Sequence, residues 1–327
     1  MKAGLLLQVH STRLFPKSLG ATRYEITGIA SKCDWVVLSD LYQPHTELRK
    51  QRNRQRPTTI FLSLRAPVLA LKYFISTVLP DLKHPFILIS GSEDYTIPRQ
   101  IDKRRLAQSE LINKLVNIIL DHPMLQHWTA ENLDDDRHPK FRPLPLGLLL
   151  KHNAGKEDVE VPETPNLLSR PLRALCAHRV RIGGQWETRK QVIRLAKQNW
   201  SDWCTSLDNE VSEAEYMKLM HQHSFILCVE GGGLDPSPKA WQAMLYGAIP
   251  VIRKNTLYQC YRHLPVAFVD DWTPEALSIE KLQYVRSQLA HLYDTEAGRK
   301  EVLRRLSLNY WWNYAIAPKA GLQEHQD

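Results

Sequence analysis

The stretch that decides the fold is residues 224–253, SFILCVEGGGLDPSPKAWQAMLYGAIPVIR. Its apolar ends, three consecutive glycines and central helical pattern predict a strand, a glycine loop, a helix and a second strand. Ser237 suits the N-cap, and Pro238 suits the first helical turn, where a missing N–H costs no hydrogen bond. Gly247 suits the left-handed position after the last turn.

Outward from this stretch, apolar runs alternate with helical patterns in both halves of the chain. Strands are predicted at residues 33–39, 59–64, 86–90, 141–150 and 172–177, and helices at 67–79, 109–120, 187–198 and after the capping box of Ser212 and Glu215. Continuous apolar runs are typical of parallel strands that are covered on both faces. The alternation therefore predicts an α/β protein.

The predicted architecture is two Rossmann-like, doubly wound domains that face a cleft. Residues 1–155 form the N-terminal domain and residues 165–327 the C-terminal domain, with a Pro-bearing linker between them and a last helix that crosses back. In such domains ligands bind at the carboxyl ends of the strands.

Composition limits the classes of protein that this chain can belong to. With 327 residues, 43% apolar and 24% charged, it is long enough for two globular domains and too apolar to be disordered. No run approaches the ~20 apolar residues of a membrane span, and the N-terminal apolar stretch is too short for a secretory signal. The expected location is cytoplasmic. The five cysteines are widely spaced, so they predict reduced core residues and no zinc or redox motif.

A formal net charge of +8 favours contact with anions. Part of this charge lies in one short stretch, Arg49, Lys50, Arg52, Arg54 and Arg56. The stretch is compatible with an acidic glycan, an anionic membrane surface or nucleic acid, and equally with a solvated loop.

The glycine loop is the main candidate for binding. Gly231, Gly232 and Gly233 leave backbone N–H groups accessible to phosphate, and Lys239 adds a positive charge to the same anion. Glu230 stands at the end of the strand, where it is suited to accept hydrogen bonds from sugar or ribose hydroxyls. The alternative is a flexible turn beside a surface ion pair. The spacing matches neither G-x-G-x-x-G nor G-K-[ST], which argues against a dehydrogenase and a P-loop NTPase.

Glu230 and the segment PKAWQAMLYGAIPVI at residues 238–252 resemble the donor site of exostosin-like and fucosyltransferase-like glycosyltransferases of the GT-B fold. Two further segments are similar to that family, FILISGSEDYTIP at 86–98 and HPKFRPLPLGL at 138–148. The resemblance touches about a third of the chain, and residues 230–252 are its specific part.

The resemblance implies a nucleotide-sugar donor in the C-terminal domain, an acceptor near the N-terminal domain, and no required cofactor or metal. Carried over, Glu230 would bind ribose or sugar and Lys239 the diphosphate, while the three glycines would make room for it. Many retaining members have a second Glu where this chain has Gln242. An inverting mechanism is therefore expected.

Other residues extend the predicted site. An inverting transfer needs a general base, for which Glu93 and Asp94 are the candidates, although capping of their turn is an alternative role. Arg179, Arg181 and Arg189 are candidates to bind the diphosphate, because a guanidinium can hold phosphate oxygens with two hydrogen bonds. The acidic run at 134–136 predicts a solvated loop, so no metal site is expected.

The sequence favours a glycosyltransferase that acts on a glycan or lipid-linked hydroxyl acceptor, for instance in polysaccharide biosynthesis, with peripheral contact to an anionic membrane. The alternative is a non-catalytic protein that binds a nucleotide or nucleic acid. Nucleic acid is the less favoured partner, and a sugar-nucleotide epimerase or a kinase is least favoured because the fingerprint motifs are missing.

Overall fold

The computed structural model describes residues 5–52, 55–101, 108–149 and 158–318. Its contacts divide the chain into two units. The described part of the N-terminal unit is residues 8–52, 55–101, 108–149 and 307–318. The described part of the C-terminal unit is residues 5–7 and 158–306.

The first half of the chain forms β1 (Leu6–Gln8), β2 (Trp35–Ser39), β3 (Thr46–Lys50), β4 (Thr59–Ser63), α1 (Pro67–Tyr73), β5 (Phe86–Gly91), α2 (Ser109–Leu120), β6 (Leu125–Glu131) and β7 (Phe141–Leu144). The second half forms β8 (Asp158–Glu160), β9 (Ala174–Cys176), α3 (Glu187–Gln198), β10 (Cys204–Ser206), α4 (Glu213–Gln222), β11 (Phe225–Leu227), α5 (Lys239–Leu245), β12 (Ile249–Arg253), α6 (Tyr258–Tyr261), β13 (Ala267–Val269), α7 (Ile279–Asp294), α8 (Glu296–Leu306) and α9 (Leu308–Ile316). β1 and β8 form a separate two-stranded sheet.

The N-terminal unit contains a six-stranded sheet in the order β3-β2-β4-β5-β6-β7. Only β3, at one edge, is antiparallel to its neighbour. β3 lies on one side of β2, whereas β4, β5, β6 and β7 are added in turn on its other side. Right-handed crossovers in a single direction place the connecting helices on one face. Phe74, Ile112 and Trp128 belong to the resulting core between that face and its helices.

The other face of this sheet is contacted by α9. His127 and Thr129 alternate along β6 with the core residue Trp128, so they point to the opposite face. Both side chains hydrogen-bond the carbonyl oxygen of Ala315, at 2.7 and 3.1 Å. Arg142 on β7 donates to the carbonyl of Tyr314 at 2.5 Å. The last helix therefore belongs to the N-terminal unit.

The C-terminal unit contains a parallel five-stranded sheet in the order β10-β9-β11-β12-β13. The chain passes from β9 to β10 on one side and then returns to β11 on the other side of β9. This reversal is the switch point of a doubly wound sheet. Apolar side chains such as Phe225, Leu227 and Val251 form its core.

These sheets confirm the predicted α/β class with parallel strands. Helices α2 and α3 have the bounds that the sequence predicts, and the Ser212 hydroxyl accepts the N–H of Glu215 at the start of α4, 3.2 Å away. The sequence predicts no strand at residues 125–131, which form β6. Arg49 and Lys50 lie in strand β3, so the solvated loop that was one alternative for the basic stretch does not hold for these two residues.

Helix α5 begins one residue later than the sequence predicts. Ser237 has a φ of +91°, which is incompatible with the extended backbone of an N-cap, and Pro238 takes the N-cap position instead. The expected end is confirmed, since Gly247 has a φ of +73°. The N–H groups of Gly247 and Ala248 donate to the carbonyls of Met244 and Ala243, which is a Schellman motif.

Two arginines complete the carboxyl end of α5. Arg170 donates to the carbonyl of Tyr246 at 2.8 Å, and Arg299 donates to those of Met244 and Leu245 at 2.7 and 2.5 Å. Arg170 is 4% exposed, and burial, together with the charge of Arg299, lowers its pKa to about 10. These bonds fix the helix that carries Lys239 because the last carbonyls of a helix have no partner within it.

Two of the expectations drawn from composition concern the cysteines and membrane-spanning helices. All five cysteines are free and buried, as predicted. Among the helices in the described ranges, none has both the length and the hydrophobicity that crossing a bilayer requires.

Replacing Arg170 by Ala is expected to lower the free energy of unfolding by about 2–4 kcal/mol, because the carbonyls of Tyr246 and Met220 lose their donor and each buried unpaired group costs about 1–3 kcal/mol. Urea unfolding measures this change. The control is Arg194→Ala, at an exposed position on α3, with an expected effect within about 0.5 kcal/mol. Equal unfolding curves for the two variants would contradict the capping role of Arg170.

Candidate functional site

The switch point of the C-terminal sheet is where its loops separate. β9 lies between β10 and β11, so the loops after β9 and β11 leave in different directions. A crevice at this position is the general ligand site of doubly wound sheets. A pocket of about 420 Å³ opens there. It is lined by residues that follow β9 and β10 and by side chains of α3, α4 and α5: Ala177, His178, Arg179, Val180, Ile193, Lys197, Leu207, Asp208, Asn209, Glu210, Val211, Glu213, Tyr216 and Lys239.

Lys239 is the buried cation of this pocket. Its ammonium group donates to the carbonyl of Ala177, the first residue after β9, and lies 5.4 Å from the centre of the Tyr216 ring. Within the described ranges, no carboxylate forms an ion pair with it. Burial, and secondly the positive charge of Arg189, lowers the pKa of Lys239 to about 8. The amine is therefore mostly charged at pH 7 and has no counter-ion in this part of the structure.

His178 lies beside Lys239 in the pocket wall. Both of its ring nitrogens are buried, and neither has a hydrogen-bond partner among the described residues. Burial, with the charges of Lys239 and Arg189, holds the pKa of His178 well below its usual value. A buried imidazole without partners is costly, and an anion or a polar ligand that accepts its hydrogen bond would relieve that cost.

The acidic side chains of the pocket are at its exposed rim. Arg179 pairs with Glu210, with both side chains more than half exposed, and Lys197 pairs with Asp208. Such exposed pairs contribute little to stability and rearrange easily. The inner wall is therefore cationic, and the rim carries both signs of charge.

The three predicted arginines have different environments. Arg179 lines the pocket, whereas Arg181 is exposed. Arg189 is 9% exposed and donates to the carbonyls of Val229 and Arg179, at 3.2 and 3.1 Å. Its guanidinium also lies over the Trp186 ring, 4.8 Å from the centre. Arg189 thus ties the loop after β9 to the loop after β11.

The glycine loop packs against this arginine. A Cβ on Gly231 would be 2.8 Å from Nη2 of Arg189 and 3.1 Å from the ring of Trp186. Gly231, Gly232 and Gly233 follow β11, and the loop is held further along by the Asp235 carboxylate, which accepts the Tyr261 hydroxyl at 2.9 Å. None of the three glycines lines the pocket described above.

Glu230 is held by protein groups. It is 7% exposed, forms an ion pair with Arg253 at the end of β12, and lies 3.5 Å from the indole nitrogen of Trp272. It is outside the pocket wall. The structure therefore brings together Lys239 and Arg179 from the predicted set, and it places Glu230 in a separate cluster, in which Arg253 pairs with both Glu230 and Asp271.

The two candidate bases lie in the N-terminal unit, in a network at the end of β5. Arg13 contacts Asp94 at 2.5 Å and Glu93 at 3.7 Å, and Arg65 contacts Glu93 at 2.6 Å. Burial raises the pKa of Glu93, but Arg65, Arg13 and Lys17 together outweigh it, so the net shift is downward. Both carboxylates are paired with arginine, and Asp94 is the more exposed, at 38% against 17%.

The acidic run at 134–136 does not gather into a metal-binding group. Asp134 accepts the N–H groups of Arg99 and Ile101, and Asp135 pairs with Arg137. In the described part of the chain, no three His, Cys, Asp or Glu side chains are placed to hold a metal ion.

Sequence reasoning missed His178 and Tyr216. The position of His178, two residues after β9 and just before Arg179, was the available signal, but the thirteen histidines gave no pattern. Tyr216 was recognised only as an apolar residue of α4.

Neither a protein-family model nor a curated protein matches the chain in sequence. Solved structures do match it. They include a spinosyn rhamnosyltransferase complexed with thymidine diphosphate, over 78% of this chain and 69% of that chain, at 10% identity and a TM-score of 0.35. A glycosyltransferase from Rickettsia africae is matched over 78% and 74%, at 14% identity and a TM-score of 0.38. An α1,3-fucosyltransferase is matched over 81% and 78%, at 13% identity and a TM-score of 0.36. Matches at this level give no residue a role.

Lys239→Met is expected to be more stable than the unsubstituted protein at pH 7, because the amine titrates near pH 8 in the folded chain and near 10.5 in the unfolded one. Charging it in the interior costs about 3 kcal/mol below pH 8, and that cost disappears as pH rises from 8 to 10.5. Urea unfolding between pH 7 and pH 9.5 should show the advantage shrinking.

Lys218→Met is the matched control, since Lys218 is exposed on α4 of the same unit. It should change stability little and equally at both pH values. If Lys239→Met raised the free energy of unfolding by the same amount at both pH values, the gain would not come from removing an uncompensated charge.

Proposed function

We propose that this protein is a glycosyltransferase of the GT-B type that binds a nucleotide-sugar donor in the pocket of the C-terminal unit. The observation that carries the proposal is the pair formed by Lys239 and His178. Within the described part of the chain, a half-buried ammonium without a carboxylate and an imidazole whose buried nitrogens have no partner share one pocket wall at a switch point. A diphosphate supplies the negative charge and the acceptor oxygens that both groups lack.

The same two groups suit the chemistry of sugar transfer. When the bond between the sugar and the diphosphate breaks, negative charge accumulates on the leaving phosphate oxygen. Preorganised donors in a pocket shielded from water stabilise such charge strongly. Lys239 and His178 fit this role, with Arg179 at the rim adding a guanidinium. Because side chains provide these cations, we propose that transfer needs no metal ion and no cofactor.

Arg189 and the glycine loop serve to position this site in our proposal. Arg189 fixes the two loops that flank the switch point, and Gly231 allows its guanidinium to approach the backbone. Glu230 is the proposed contact for donor hydroxyls. To act so, its carboxylate would share its oxygens between Arg253 and the ligand.

The alternative of a nucleic-acid-binding protein is less well supported by the basic stretch. The Arg49 guanidinium binds Glu47 and the carbonyls of Thr22 and Tyr24, and the Lys50 ammonium lies 4.5 Å from the centre of the Trp35 ring. Arg52 and Arg56 are exposed, and Arg54 lies outside the described residues. Two of the cations are thus engaged within the fold.

We further propose an inverting mechanism in which Asp94 or Glu93 accepts the proton of the acceptor hydroxyl. Asp94 is the preferred base because it is more exposed and pairs with Arg13, whereas three cations surround Glu93. We also propose that the acceptor is a glycan or a lipid-linked molecule. The proposed role is in polysaccharide biosynthesis, and the proposed location is the cytoplasm. The free, buried cysteines fit a reducing compartment.

Thermal unfolding in a panel of nucleoside diphosphates, with EDTA present, is expected to show stabilisation by one of them. Lys239→Ala should weaken its binding about 10- to 150-fold, since a hydrogen bond to a charged group contributes about 1.5–3 kcal/mol. Lys218→Ala, on the exposed face of α4, should bind as the unsubstituted protein does. The absence of a shift with every nucleotide, or equal affinity of the two variants, would refute the donor site.

Asp94→Asn is expected to leave nucleotide affinity unchanged and to lower kcat at least about 100-fold, the usual contribution of a general base. Glu93→Gln is the comparison, with a smaller effect on kcat. Product formation from a nucleotide-sugar, followed with isothermal titration of the nucleoside diphosphate, separates the two steps. Normal turnover in both variants would rule out this pair as the base.

A further inference from the structure

Three large apolar side chains stand out on the surface of the N-terminal unit. Leu19, Leu41 and Tyr42 are 57%, 65% and 57% exposed. We name these three residues the apolar tip. Single exposed apolar side chains are common on soluble proteins, whereas a group of them marks a contact surface.

The three residues belong to two loops that are joined by one buried carboxylate. Asp40, which is 1% exposed, accepts the N–H of Ser18 at 3.1 Å and that of Tyr42 at 3.0 Å. The Tyr24 hydroxyl donates to the same carboxylate at 2.7 Å. Asp40 therefore holds the residue before Leu19 next to the Leu41–Tyr42 pair.

A second set of contacts fixes the loops on each other. The N–H of Ala21 donates to the carbonyl of Pro44 at 2.9 Å. Gly20, with a φ of +92°, lies so close that a Cβ would be 2.5 Å from the carbonyl oxygen of Gln43. The apolar tip is thus presented by a preformed backbone arrangement. Its side chains nevertheless remain more than half exposed, so they do not serve the core.

Basic residues flank the tip. Lys17 and Arg23 are exposed on the first loop and its short helical turn. Arg49 donates to the carbonyls of Thr22 and Tyr24, which ties this segment to strand β3. Lys50 and Arg52 are exposed as well, but they lie at the end of that strand opposite the hairpin of Leu41 and Tyr42. Lys17, which lies 3.8 Å from Glu93, and Arg23 therefore place positive charge beside the tip, in a chain of net charge +8.

We propose that the apolar tip is an interfacial anchor that inserts into an anionic lipid surface. Leucine side chains enter the boundary of the acyl region, a tyrosine is suited to the headgroup level, and the flanking Lys17 and Arg23 attract acidic headgroups. The combination of three exposed apolar side chains with these two cations favours this partner over a neutral protein surface. The inference is independent of the nucleotide pocket.

Cosedimentation with vesicles tests the proposal, using phosphatidylcholine alone and phosphatidylcholine with about one third phosphatidylglycerol. The unsubstituted protein should bind the anionic vesicles, and less so as salt increases. Replacing Leu19, Leu41 and Tyr42 together by Ser should reduce the partition coefficient at least about 10-fold. The double substitution Lys17→Gln with Arg23→Gln should reduce binding to the anionic vesicles.

The matched control replaces Leu168 and Tyr284, which are 57% and 67% exposed in the C-terminal unit, by Ser. This variant should bind vesicles as the unsubstituted protein does, and urea unfolding confirms that every variant folds. Failure of the unsubstituted protein to bind anionic vesicles at low salt, or normal binding by the tip variant, overturns the proposal. So does self-association in the absence of lipid that the tip variant abolishes, because the tip would then contact a second copy.

Discussion

The hydrogen-bonded pairing of β9 with both β10 and β11 is the constraint on which the site depends. Parallel strands end at the same edge of the sheet, and the reversal of direction at β9 leaves a crevice there. Lys239, at the start of α5, crosses this crevice to reach the carbonyl of Ala177. The position of α5 is fixed in turn by the Schellman motif at its end and by the arginines 170 and 299. The strand register, the position of α5 and the shape of the pocket therefore depend on one another.

Charge balance distinguishes the clusters of this protein. Glu230 pairs with Arg253, and Glu93 with Arg65 and Arg13, so each of these carboxylates has a cation beside it. Among the residues that the structure describes, Lys239 contacts a carbonyl oxygen and an aromatic face and no carboxylate. A buried charge without a counter-ion is expensive in a folded protein, and such groups concentrate at functional sites. The imbalance at Lys239, more than its position in a motif, is the reason why we propose this pocket as the donor site.

The order of the strands in the sheets explains why some elements were not recognised from the sequence. In the N-terminal unit the strands are added in one direction, so α9 has to cover the face that the crossover helices leave open. His127 and Thr129 of strand β6 contact that helix. These two polar residues interrupt the apolar run, so the hydrophobic pattern of residues 125–131 does not predict a strand. In the same way, the basic residues of β3 lie on an edge strand, where alternation and hydrophobicity are weak signals.

The sequence by itself determined the α/β class, helices α2 and α3, the cap at Ser212 and the left-handed Gly247, because these follow from periodicity and from local backbone preferences. It also singled out Lys239. Only the tertiary structure decided which residues meet Lys239, since His178 lies sixty-one positions earlier in the chain and approaches it through strand order. Likewise, the pairing of Glu230 with Arg253 and the contact of Ala315 with β6 depend on long-range register, which no local pattern contains.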